Sequence, residues 1–451
     1  MSRLRILILA PDCNPDSICG PLISYSQAEA LAQLHDVTLA VRSPYEDAVR
    51  RRQAPFHNIE VIRLPWLERI YAWTLRRIFK NNFHRQFLTA FGYPFAVAFE
   101  WAVWRHMRPQ ILAGEFDAVL RLLPITAVLP SPMAFFLRNS PIPFVIGPIN
   151  GGLPWPKGFR QAEDQRQWIS GLRNIHRYLP FARSTYRYAA AIMAGSSQTY
   201  SEFASYRDKL FFLPENGITS SLFSGVPHSR EPGGRLELIF IGGLVPCKAC
   251  DLAFRAAAPL LQADLAYFTV IGDGPERNRL EELAKTLKIE KAVSFCGFLS
   301  HPETMRRLQL ADVMVFPSVR DFGAAVVFEA LAAGVVPVVA DFGGPGDIVH
   351  PEVGYKVPLT NEDDVVVQIE KILTELAHNP DQLERLRREG VAYVRQNLTW
   401  DVKAQIVSRI VDWALGRGPK PVLPPPKEPP TGIKATVKNR TTSQADVKSA
   451  Y

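Results

Sequence analysis

The stretch Val313–Ala340, VMVFPSVRDFGAAVVFEALAAGVVPVVA, limits what this chain can fold into more than any other. It opens on Val313–Phe316, an apolar run with the length and composition of a buried strand. A polar loop, Ser318–Asp321, and Gly323 follow. From Ala324 the apolar residues continue to Gly334, long enough for a helix, and Gly334 stands where a left-handed C-terminal cap belongs. Val335–Ala340 supplies the next strand. Strand, loop, helix, strand is the unit of a parallel α/β sheet, in which ligands bind where strands end and helices begin. Asp321 and Glu329 flank that junction, eight residues apart. Gly323 permits close approach to the backbone, and the amides of Ala324, Ala325 and Val326 offer a helix N-terminus to an anion. One carboxylate before the helix and another two turns into it suit a polyhydroxylated ligand that also carries phosphate, as a nucleotide sugar does.

The remainder of the chain repeats the alternation. Leu4–Ala10 reads as a strand, followed by the loop Pro11–Pro21 with Gly20 near its end, a helix Ser24–Leu34 and a strand Val37–Val41. Ala118–Leu123 and Pro143–Ile146 are further strands, the second running into Gly147-Pro148-Ile149-Asn150-Gly151-Gly152. A strand that ends in a glycine pair implies a close neighbour, either a ligand or an opposing domain, although glycine and asparagine also favour plain turns. Gln165–Tyr188 reads as a long helix, Ala190–Ala194 as a strand, and Ser196–Tyr206 as a helix capped by Ser196. The Ser-, Gly-, Pro- and His-containing run Asn216–Arg235 reads as a linker. Leu236–Ile241 then opens a second domain, continued by Gly242-Gly243-Leu244-Val245-Pro246-Cys247-Lys248. Phe268–Ile271 leads into Gly272-Asp273-Gly274-Pro275 and a helix Glu276–Leu287, and Val293–Gly297 into Phe298. Asn361–Leu376, Pro380–Asn397 and Trp400–Leu415 read as three closing helices.

Asp321, Phe322, Gly323, Glu329, Ala330, Gly334, Pro337 and Val338 together resemble the signature of the family-four (group 1) retaining glycosyltransferases, with Asp321 where Glu is usual. The resemblance covers about residues 4–415 and is strongest from Leu236 to Leu359. It implies an α/β GT-B fold: two Rossmann-like domains facing across a cleft, with C-terminal helices crossing back to the first. The implied domains are an acceptor domain at 1–215, a donor domain at 236–396, a returning helix at 397–417 and a Pro- and Lys-rich disordered tail at 418–451. Carried over residue by residue, it implies a donor site of Gly243, Lys248, Gly272, Gly274, Phe298, Arg320, Asp321, Phe322, Gly323, Ala324, Ala325 and Glu329. Asp321 and Lys248 are the implied catalytic pair. Gly20, Gly151 and Gly152 are the implied acceptor or cleft positions. Lys248 falls on the family's diphosphate lysine, while Gly243 stands where an arginine is usual; Arg320 is the cation at hand to replace it. The acceptor histidine of many members is missing, since Arg121-Leu122-Leu123-Pro124 occupies its place. The implied activity moves a sugar from a nucleotide-diphosphate donor to a glycan or lipid-linked acceptor with retention, needing no cofactor and no metal. Two other readings share these residues: a non-catalytic nucleotide-sugar-binding or scaffolding protein, and an isomerase of nucleotide sugars.

Charge and composition bear on partners and place. A net charge of +8 attracts acidic surfaces. No block of Lys and Arg interleaved with aromatics matches a nucleic-acid module, so an anionic membrane surface is the expected partner and nucleic acid is not. The segment Leu64–Arg108 is rich in aromatics and arginines, as an interfacial helix is; a core of aromatics under a solvated arginine face gives the same composition. The first apolar run is too short for a signal peptide or a spanning helix. Five cysteines in core-like or loop settings fit a reducing compartment, and the lone Cys247-x-x-Cys250 pair lacks a second pair to hold metal. A cytoplasmic protein, at most peripheral to the inner membrane face, is expected.

Overall fold

Apolar runs buried on both faces can only be accommodated in parallel sheets covered by helices, and this chain builds two of them. The computed structural model describes residues 2–17, 20–65, 68–70, 73, 92–151, 153, 155–156, 159, 179–220, 223, 234–424 and 426. The first sheet has seven strands: β1 (Arg5–Leu9), β2 (Asp36–Arg42), β3 (Asn58–Ile62), β4 (Ala118–Arg121), β5 (Phe144–Ile149), β6 (Ala191–Ala194) and β7 (Leu210–Phe212), in the order β3-β2-β1-β4-β5-β6-β7. The second has six: β8 (Leu236–Ile241), β9 (Ala266–Ile271), β10 (Val293–Gly297), β11 (Val313–Phe316), β12 (Val336–Ala340) and β13 (Tyr355–Val357), in the order β10-β9-β8-β11-β12-β13. Strand order reverses at β1/β4 in the first and at β8/β11 in the second, which makes these the two switch points.

The helices needed below are α1 (Gly20–Leu34), α2 (Tyr93–Leu112), α3 (Ser197–Glu202), α4 (Cys250–Gln262), α5 (Arg277–Thr286), α6 (His301–Leu308), α7 (Ala325–Ala332), α8 (Gly343–Ile348), α9 (Glu362–His378), α10 (Pro380–Asn397) and α11 (Trp400–Ala414). Capping chemistry fixes several starts: the side chains of Ser196, Ser300, Asn361, Asn379 and Thr399 each accept from a backbone amide of the first turn.

The chain crosses between the domains twice, and the crossings lie side by side. Ile218 N donates to Leu398 O (3.0 Å) and Trp400 N to Ile218 O (3.1 Å). Gly217 is required there, because a Cβ would stand 2.7 Å from the Trp400 ring. Beyond this point α11 lies on the first domain: Trp400, Ala404, Val407, Ile410 and Val411 are buried in one cluster with Ala28, Leu31 and Ala32 of α1. A polar contact joins the same surfaces, where His35 Nε2 lies 2.6 Å from Ser408 Oγ.

Several local expectations need correction. The first helix begins at Gly20 rather than Ser24. The helix read as Gln165–Tyr188 cannot be continuous: its described end, Ala182–Tyr188, starts after Phe181 at φ 66°, a left-handed residue that stops helix propagation; 160–178 lies outside the described residues. Ser196–Tyr206 divides at Phe203 into α3 and a 3-10 turn, Ala204–Lys209. The linker is anchored at its start, since Asn216 and Ile218 are buried. Within the aromatic and arginine-rich segment, 66–67, 71–72 and 74–91 lie outside the described residues. In α2 the aromatics divide: Phe99 is buried and Trp104 stacks on Phe136 at 5.3 Å, whereas Trp101 is 48% exposed with Arg105 above its ring. Among the described residues no helix is long and apolar enough to cross a membrane.

Candidate functional site

β8 and β11 are neighbours at the switch point, so the loops that leave them meet above their carboxyl ends. After β8 a 3-10 turn, Pro246–Lys248, presents Lys248, and Ala249 enters α4 with φ 51°. After β11, Ser318 Oγ and Val319 N both donate to the Cys247 carbonyl, at 3.2 and 2.9 Å, stitching the two loops together. That stitch brings Lys248 into an ion pair with Asp321 Oδ2, with its ammonium 5.0 Å from the centre of the Phe316 ring. The other oxygen, Asp321 Oδ1, accepts from the Ala324 amide at 3.2 Å. One of the three amides expected to face an anion is therefore already engaged by the chain's own carboxylate. α7 then carries Glu329, largely buried, whose Oε1 lies 2.9 Å from His301 Nε2 at the start of α6. The Glu329 carboxylate raises the His301 pKa, chiefly through that hydrogen bond.

The glycines of the site serve closer neighbours than a ligand. At Gly272 (φ 133°) a Cβ would sit 2.0 Å from the Gly242 carbonyl, and at Gly274 one would sit 2.4 Å from that of Leu244. Both permit the β8 and β9 loops to touch. Gly323 admits the hinge: a Cβ there would lie 2.2 Å from Glu215 Oε1 and 2.4 Å from Asn216 Nδ2. Residues leaving the first domain thus fill the space that a side chain at position 323 would take. Gly243 is different, with no atom nearer than 4.0 Å to a built Cβ. Phe322 contributes its carbonyl, which lies 2.1 Å from a Cβ built on Gly344, while Gly344 N donates to Asp321 O at 3.0 Å. Ala325 opens α7.

Arg320 lies over the Trp155 ring at 5.2 Å, which ties the acidic loop to the segment after β5. Phe298 is 79% exposed beyond β10. Gly20 starts α1 with Ile125 and Leu123 side chains as its neighbours. Gly151 donates to Thr199 Oγ1 at 2.7 Å and has Glu202 close by. Gly152 lies outside the described residues. Arg121 is buried against Glu100 (3.2 Å) and donates to the carbonyls of Leu123 and Leu129. It is held by the first domain's own core and does not replace the missing histidine in the cleft. Among the described residues no cluster of metal-ligating side chains occurs. A cavity of about 330 Å³ opens at the amino ends of β8 and β9 beside Arg235, Glu237 and Tyr267, away from these loops.

Sequence reasoning missed a buried polar junction between the domains. Glu215 accepts from Asn150 Nδ2. Burial pushes its carboxyl up to about 7, with Asp321 adding to the rise and the Asn150 hydrogen bond and Lys403 opposing it. Lys403 of α11 donates to the Pro214 carbonyl, and burial brings its ammonium down to about 7. On the other side of the cleft Ser197 N at the start of α3 donates to Asp347 Oδ2 of α8 (2.8 Å), a carboxyl that burial raises to about 6. One readable signal existed. Lys403 occupies a position on the buried stripe of α11, between Trp400 and Val407, where a charge demands a partner.

Two parallel α/β domains, a returning C-terminal helix, and acidic and basic side chains at the second switch point define the GT-B class of fold. Residues 227–390 match the family described as glycosyl transferases group 1. An uncharacterized glycosyltransferase of Methanocaldococcus jannaschii is 28% identical over 165 residues, which span 36% of this chain and 41% of that protein. The D-inositol 3-phosphate glycosyltransferase of Thermomonospora curvata is 32% identical over 209 residues, 43% of this chain and 47% of its own. The chain thus spans about half the length of the curated relatives it matches. Among solved structures, Anabaena HepE in complex with UDP superposes with a TM-score of 0.60 at 14% identity, over 91% of this chain and 100% of that one. Sucrose-phosphate synthase of Thermosynechococcus elongatus gives 0.60 at 18% identity, over 92% and 100%. At such identities the likeness is one of fold.

Proposed function

We propose that this protein is a retaining, metal-independent glycosyltransferase that moves a sugar from a nucleoside-diphosphate donor to a glycan or lipid-linked acceptor. The observation that carries this reading is the convergence of Lys248, Asp321 and Glu329 on the carboxyl ends of β8 and β11, inside the domain that matches the glycosyl transferase family. The open space beside Gly243 receives the diphosphate. Lys248 and the amides that open α7 neutralise it. Glu329 accepts from the ribose hydroxyls, and Asp321 accepts from hydroxyls of the transferred sugar, which fixes position rather than transferring a proton.

Transfer breaks the bond between the anomeric carbon and the diphosphate and forms a bond from that carbon to the acceptor oxygen on the same face. The acceptor proton leaves with the diphosphate. Negative charge grows on the leaving group in the transition state, so a cation already held beside it lowers the barrier. The UDP and UDP-glucose complexes of the structural neighbour HepE support a uridine nucleotide as the first donor to try. The acceptor is placed at the cytoplasmic face of a membrane, a reading supported by the net charge of +8 and by exposed Trp101 with Arg105 stacked 4.8 Å from its ring.

Time-resolved proton NMR on UDP-, GDP- and ADP-glucose with purified protein tests the reaction without knowledge of the acceptor. Slow release of the sugar with the donor's anomeric configuration is expected. Failure to turn over any donor would favour a binding or scaffolding protein, and an epimerised donor would favour an isomerase.

A further inference from the structure

His301 is the one titratable side chain hydrogen-bonded to Glu329 among the described residues, and nothing in the reading above uses it. Its place is set by local chemistry. Ser300 caps α6 by accepting from Glu303 N at 3.4 Å, and Pro302 follows His301 in the first turn. The ring therefore leaves the first helical position of α6 and reaches the second turn of α7. There its Nε2 meets Glu329 Oε1 at 2.9 Å. The His301 side chain is 55% exposed and that of Glu329 only 15%, so the ring covers the carboxylate from the solvent side.

A carboxylate that must accept from two vicinal hydroxyls has a narrow range of useful orientations, and a glutamate carries a soft final torsion. One hydrogen bond to Oε1 fixes that torsion. Each carboxylate oxygen offers more than one acceptor site, so Oε1 keeps the ring while Oε2 and its own remaining lone pair receive the ligand. Both the neutral Nε2–H tautomer and the charged ring donate at this position. The contact therefore survives titration of His301, whose pKa Glu329 itself raises.

We propose that His301 is a positioning residue for the donor ribose, acting through Glu329. The inference rests on the reading of Glu329 as the ribose carboxylate and assigns the residue that orients it. It separates His301 from a surface histidine by a specific consequence: loss of the ring lowers affinity only for ligands that possess the ribose hydroxyls.

Calorimetry with UDP and GDP, each beside its 2′,3′-dideoxy counterpart, measures this on the full chain. Wild-type protein is expected to prefer the ribose form by about tenfold or more. In His301→Ala that preference falls to about threefold or less, with affinity for the dideoxy form unchanged. His301→Gln, which restores an N–H donor, regains part of the preference. Undiminished discrimination in His301→Ala would overturn the proposal while leaving the ribose role of Glu329 standing. Equal affinity of wild-type protein for ribose and dideoxy forms would instead remove that role, and this inference with it.

Discussion

Lys248 and Asp321 are joined by an ion pair across the loops that follow β8 and β11, and neither is fully exposed. A diphosphate offers Lys248 a partner of higher charge than a carboxylate, and one whose charge increases as the sugar departs. Lys248→Ala is accordingly expected to lower kcat by about a hundredfold while weakening uridine binding by less than about threefold. Steady-state kinetics and competition by uridine separate the two, and a fully active variant would move the role to Arg320 or to the α7 amides. Asp321 and Glu329 were legible because their relation is local, eight residues apart around one helix start, and Lys248 was legible through the resemblance. Glu215 and Lys403 were not, since the hydrogen bond from Lys403 to the Pro214 carbonyl, next to Glu215, spans 189 residues of sequence. Gly323 shows the limit from another side. Spacing announces that a small residue is needed, but only the fold shows that Glu215 and Asn216 stand where its side chain would be.

Elements inherit their ends from caps, and where a cap is spelled out the reading is close. Asn361 begins α9, Pro380–Asn397 matches α10 and Thr399 begins α11. Where the stop is conformational the sequence is silent, as at Phe181, an ordinary helix-compatible residue held left-handed by its surroundings. The junction of hinge and α11 carries a pH dependence of its own. Glu215 titrates at about 7 in the folded protein and near 4.5 as a free side chain, so the folded state holds the extra proton between these values and stability falls as pH rises through that window. Lys403, at about 7 folded against 10.5, has the opposite sense: the unfolded chain holds the extra proton, and stability rises between about 7 and 10.5. The pair alone therefore gives a minimum near neutrality. Glu215→Gln keeps the shape and removes the acid-side titration, so its melting temperature relative to wild type is expected to climb from pH 5 to pH 7. A difference that stays level across that range would show that Glu215 does not titrate there.

At the scale of the whole molecule, contacts between the two domains among the described residues include Glu215 with Asn150 against Gly323, Ser197 with Asp347, and Trp155 with Arg320. The architecture was legible because parallel strands leave unbroken apolar runs, and the second domain was clearer than the first because its motif sits at one switch point. Membrane docking belongs to this scale as well. With about 1 kcal/mol from each basic residue near an anionic surface, a few from the first domain suffice for reversible binding. Cosedimentation with phosphatidylserine vesicles, weakening as salt is added, is expected; absence from anionic and neutral pellets alike would remove the membrane from the account. The donor site itself is tested most directly by calorimetric titration of UDP, GDP and ADP into wild-type protein and Glu329→Ala. One nucleotide is expected to bind wild type at a single site, and the variant, still folded by circular dichroism, to bind it about thirtyfold or more weakly, the loss of charge-assisted hydrogen bonds worth about 2–3 kcal/mol. Equal affinity in the two proteins, or no binding of any of the three to wild type, would contradict a nucleotide-sugar site at the ends of β8 and β11.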